Sequence, residues 1–67
     1  MTVARVTEII SSSKKSFEDA VKVGIDRASK TLQNVQGAWI GDQKVVIVKG
    51  KVVEYRVQLK VTFILKD

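Results

Sequence analysis

Cysteine, histidine and proline are all absent from this 67-residue chain, and aromatic residues make up only 6% of it. Without cysteine there is no disulfide, and without cysteine or histidine the usual zinc and iron–sulfur ligands are missing. The same gaps exclude a Ser-His-Asp triad, a thiol nucleophile and imidazole acid–base chemistry. Long apolar runs are missing too. The longest aliphatic stretch, Val45-Val46-Ile47-Val48, falls far short of the ~20 residues that cross a bilayer. Arg5 and Glu8 interrupt the N-terminal segment and leave no secretory h-region. The expectation is a cytoplasmic protein with no membrane partner.

What is present is ordinary for a globular domain: 45% hydrophobic and 28% charged residues. The length allows one domain, residues 1–67. A chain this short buries only roughly 60% of its unfolded surface, so it is marginal alone. With disulfides and structural zinc removed, self-association is the remaining route to stability. Twelve Lys and Arg against seven Asp and Glu give a net charge of +5. Those cations are scattered, with no run above two, which reads as solubility and not as a nucleic-acid surface.

Thr2 to Ile10, rich in Val, Ile and Thr, predicts a first strand. Ser11 to Lys15 reads as a polar break, and Ser16 as a helix N-cap with Asp19 completing a variant capping box. Phe17, Ala20, Val21, Gly24, Ile25, Ala28 and Leu32 then repeat at the helical period, predicting a helix over 17–32. Ala20, Gly24 and Ala28 leave small side chains along its stripe, suited to close approach to a sheet. Gln43 to Val48 predicts a second strand, and Lys49-Gly50-Lys51 a tight hairpin. From Val53 to Leu65, apolar residues alternate with polar ones over 13 residues, broken only at Ile64. The expected fold is α+β, in the order β-α-β-β: a three-stranded antiparallel sheet on one helix.

Lengths sharpen this expectation. A 13-residue strand spans roughly 43 Å, whereas a 16-residue helix covers about 24 Å. One helix cannot shield the whole apolar row. The uncovered end predicts an apolar patch that further copies of the chain would cover.

Ser16-Phe17-Glu18-Asp19-Ala20, Arg27-Ala28-Ser29-Lys30-Thr31-Leu32 and Tyr55-Arg56-Val57-Gln58-Leu59-Lys60-Val61-Thr62-Phe63 resemble the dodecin family over essentially the whole chain. The resemblance implies a non-enzymatic protein that assembles twelve copies into a hollow shell. It also implies a small ligand at subunit junctions, in many members a pair of flavins (riboflavin or FMN) stacked between aromatic side chains. In flavin-binding members a Trp stands where this chain has Gly37, and a Gln stands where it has Arg56. Trp39, the one Trp of the chain, follows two residues later, shifted roughly 6–7 Å along a strand. Arg donates only, whereas Gln both donates and accepts, so the flavin edge would be read less completely. The implied ligand-contacting set is Trp39, Gly37, Arg56 and Gln58, facing a planar or anionic ligand. Relatives lacking the flavin residues imply calcium as an alternative, or a purely structural assembly. The seven acidic residues show no EF-hand spacing, so no metal ligands are assigned.

Other readings are weaker. Gly37 and Gly41 flank Trp39 without a phosphate-loop pattern and suit a bulge or bend. Two Ser-x-x-Lys spacings, Ser11 to Lys14 and Ser12 to Lys15, lack the further motifs and scaffold of acylating enzymes.

Overall fold

The structure, a computed structural model, describes residues 3–65. Four elements follow one another: β1 (Val3–Ser13), α1 (Phe17–Thr31), β2 (Val35–Val48) and β3 (Lys51–Leu65). The sheet is antiparallel with β3 in the middle, in the order β1-β3-β2. The expected architecture is therefore observed. Thr2, assigned above to the first strand, lies outside the described residues.

Three boundaries differ from the sequence expectation. The first strand continues through Ser11–Ser13 instead of breaking there. Ser11 and Ser13 are buried on the helix side. A Cβ on Gly24 would lie 2.9 Å from Ser11 Cβ and 2.7 Å from Leu59 Cδ1, so both Gly24 and a small residue at 11 are needed for helix and sheet to meet. The second strand begins at Val35, eight residues before Gln43, because pairing to β3 offsets the local weakness of Gly37 and Gly41. The third begins at Lys51, straight after a two-residue turn. Lys49 and Gly50 have φ values of 52° and 77°, the left-handed pair that a type I′ hairpin requires.

The helix starts where expected. Ser16 Oγ accepts from Asp19 N at 3.0 Å. The reciprocal half of the capping box is replaced: Asp19 Oδ2 accepts from Ser13 Oγ at 2.6 Å, and Ser13 Oγ accepts from Lys15 N at 2.9 Å. The cap thus ties the end of β1 to the first turn of α1. Leu32 closes the helix with its N–H on Ala28 O.

Ala20, Gly24 and Ala28 are the buried helix residues. They press on Val57, Leu59 and Val61 of β3, each 0% exposed, with Ile9, Phe17, Val21, Ile25, Leu32, Val35 and Ala38 packed around them. Phe17 meets Tyr55 edge to face, ring centroids 5.1 Å apart. Beyond Tyr55 the helix has ended and the β2–β3 hairpin continues as an uncovered arm. Ile47, Val48, Val52 and Val53 are exposed there. The molecule is accordingly long and thin, 51 × 19 × 14 Å. Its radius of gyration is 13.8 Å, against about 11 Å for a compact 67-residue chain.

Candidate functional site

Alternation along β3 sends Val57, Leu59 and Val61 to the helix, so Glu54, Arg56, Gln58, Lys60 and Thr62 face away from it. Cross-strand partners share a face, which places each candidate residue. Gly37 lies opposite Thr62, and Trp39 opposite Lys60. Arg56 lies between Lys44 on β2 and Ser12 on β1, and Gln58 lies opposite Ile10. All four predicted residues therefore sit on the sheet face away from the helix.

They do not all meet there. Trp39 and Gln58 are diagonal neighbours, whereas Arg56 is four residues from Lys60 along β3, roughly 13 Å from the Trp39 row. Gly37 and Arg56 are farther apart still. Nothing lies within 4 Å of a Cβ built on Gly37. Gly41 sits in an irregularity where Ile40 pairs with Leu59 and Gln43 with Val57, leaving Gly41 and Asp42 to face Gln58 together. A second irregularity lies between Val35 and Gly37. Both glycines thus flank bulges.

Arg56 is turned along its own strand: its Nη2 contacts Glu54 Oε2 at 3.4 Å. The Glu54 carboxyl is held below its ordinary value of 4.5, chiefly by a hydrogen bond from Ser12 and then by the Arg56 charge, against some desolvation. Gln58 is turned across the sheet, its Nε2 donating to Glu8 Oε1. Glu8 in turn lies opposite Lys60. One row across three strands therefore reads Glu8, Lys60, Trp39, with Gln58 beside it. Trp39 is 63% exposed, a free indole face for stacking.

Glu8 is the member the sequence reading missed. It is 50 residues from Gln58, and no tight turn joins β1 to β3 to fix their register. The parity of β1 was the available signal, blurred because apolar Val6 and Ile10 fall on the same face as Glu8. Among the described residues, no three His, Cys, Asp or Glu side chains converge as a metal site. No described helix is long and apolar enough to cross a membrane. A concavity of about 510 Å³ lies away from Trp39, in the seam between β1 and α1 lined by Ser11, Gly24, Arg27 and Ala28. It follows from the small residues that bring helix and sheet together.

The sequence model of the dodecin family matches residues 3–66. A dodecin from Streptomyces davaonensis superposes with a TM-score of 0.94 at 30% identity, over 98% of this chain and 97% of its own. A dodecin variant from T. thermophilus gives 0.94 at 28% identity, over 100% of both chains. A calcium-chelating antigen from Mycobacterium tuberculosis, a calcium dodecin with its own calcium-binding site, gives 0.84 at 26% identity, over 96% of this chain and 91% of that one. No curated protein sequence matches the chain.

Proposed function

The chain belongs to the dodecin family, and from that premise we propose that it works without catalysis, as one protomer of a closed cytoplasmic shell of identical copies that holds a small planar ligand. The observation that carries this reading is surplus surface. The protomer exposes 5248 Å², whereas a compact monomer of 7.4 kDa exposes roughly 4,200 Å². The difference, about 1,000 Å², is close to one partner's share of a stable interface. Much of it is the apolar arm that α1 does not reach. A shell stores its ligand by stacking and burial alone, which requires no acid, base or nucleophile.

Trp39 supports the planar ligand, and the changes at Gly37 and Arg56 set this chain apart from the flavin arrangement of the family. A native mass near twelve times 7.4 kDa is expected. A single 7.4 kDa species at micromolar concentration would overturn the assembly. A second reading, calcium in place of a planar ligand, draws on the likeness to the calcium dodecin of M. tuberculosis. Its carboxylates would come together between copies. It predicts a melting temperature that falls on chelation and ignores flavin; indifference to both would leave a purely structural assembly.

A further inference from the structure

We propose that the seam between β1 and α1 is a second binding site, for a short aliphatic carboxylate. Ser11 and Arg27 hold the carboxylate, and Ile9, Ala28 and Leu32 lie along its chain. The seam is on the helix side of the sheet, apart from the Trp39 face, and the inference goes beyond the planar-ligand reading.

Two serines of β1 show the first sign. Ser11 and Ser13 are equally buried, each 8% exposed, and both face the helix. Ser13 Oγ donates to Asp19 and accepts from Lys15 N. Ser11 Oγ has no hydrogen-bond partner among the described residues, a costly state for a buried hydroxyl. It lies 3.2 Å from the place of a Cβ on Gly24, on the floor of the 510 Å³ cavity that both residues line. It is not sealed there, since no side-chain polar atom cut off from solvent lacks a partner. Arg27 is the second sign. It follows Gly24 by three residues, on the adjoining strip of α1, and is the one charged residue lining the cavity. Among the described residues no carboxylate pairs with it. A hydroxyl donor without an acceptor and a guanidinium without an anion thus border one space, and a carboxylate accepts from both at once. From Arg27 the helix runs about 8 Å to Leu32. Ile9, Ala28 and Leu32 line that stretch, an apolar floor for a chain of a few methylenes.

Calorimetric titration of the native assembly with octanoate, octanol and butyrate tests the site, with native mass followed throughout. Saturable octanoate binding is expected at unchanged mass. Octanol, which lacks the anion, should bind about tenfold more weakly, the scale of one charge-assisted hydrogen bond. Butyrate should bind more weakly as well, each methylene withdrawn from the apolar floor losing up to about fourfold. Arg27→Gln should weaken octanoate about tenfold and bring it to the level of octanol. Lys30→Gln removes an equal charge from the same helix outside the cavity and should change binding less than about twofold. Ser11→Ala should weaken octanoate about threefold. No saturable binding, octanol as tight as octanoate, or octanoate indifferent to Arg27→Gln would overturn the site. So would binding that appears only as the native mass falls, because a second copy would then fill the seam. The comparison of octanoate with octanol on the unaltered chain needs no variant to fold.

Discussion

Two stretches of the same hairpin obey the same rule and meet opposite fates. In the middle of β3, Val57, Leu59 and Val61 are 0% exposed; near its start, Val52 is 48% exposed and Ile47, across the turn, 60%. Apolar residues recur in both stretches, in the second across a register shift between Val46 and Ile47, so alternation does not decide burial. It decides only which side of the sheet a residue takes. Burial is decided by what lies over that side, and α1 covers the sheet only as far as Tyr55, where Phe17 meets it. The arm beyond is left as exposed apolar surface.

The largest effect should come from testing that division. Leu59→Ala removes a fully buried side chain and should cost about 2–5 kcal/mol, at any protein concentration. Ile47→Ala should cost less than about 0.5 kcal/mol within the protomer, its effect residing in assembly. Denaturant unfolding at two protein concentrations separates the cases, because stability drawn from association depends on concentration. Equal, concentration-independent costs would erase the distinction between covered sheet and arm.

The entrance to the covered region offers a smaller effect. Ser16 Oγ holds Asp19 N at 3.0 Å, and Ser13 binds the Asp19 carboxylate, fixing where α1 begins and hence where coverage stops. Ser16→Ala should cost about 1 kcal/mol and leave the native mass unchanged. A change of mass would place the cap in the interface between copies rather than inside the protomer.

This division also explains what the sequence made legible. The helix stripe from Phe17 to Leu32 and the period-2 run to Leu65 were readable because each is a local repeat that survives folding unchanged. The length mismatch between them foretold the bare arm. Residues whose structure depends on a distant partner were not readable. Ser11–Ser13 looked like a break because their strand character comes from pairing with Val57, Arg56 and Tyr55. Val35–Asp42 carries two glycines and becomes strand only against β3. At the candidate site, Trp39 and Gln58 were visible as residue types, but Glu8 became their neighbour only through the β1–β3 register. Arg56, placed beside the ligand by resemblance, lies two positions beyond Gln58 on the same face.

The smallest expected effect lies at the boundary itself. Glu54 precedes Tyr55 at the last covered position, on the face away from the helix. The Ser12 hydroxyl, joined by the Arg56 charge, lowers its carboxyl below 4.5. A carboxylate whose folded pKa lies below its unfolded one adds stability that is fully present above the unfolded value. That stability is lost as pH falls through the folded value, so the window lies below pH 4.5. The group is partly exposed, and the charged part of the effect should shrink as salt screens Arg56 and Lys14. Two observations check this: the Glu54 carboxyl should titrate below 4.5 by NMR, and Glu54→Gln should flatten the acid limb of the stability curve. Ser12→Ala should raise the midpoint, since the hydroxyl is the largest single cause, and Arg56→Ala, which removes both a charge and a hydrogen bond, should raise it too. A midpoint unmoved by Ser12→Ala would mean that the boundary is held by the ion pair along β3, and that β1 plays no part in fixing where the arm begins.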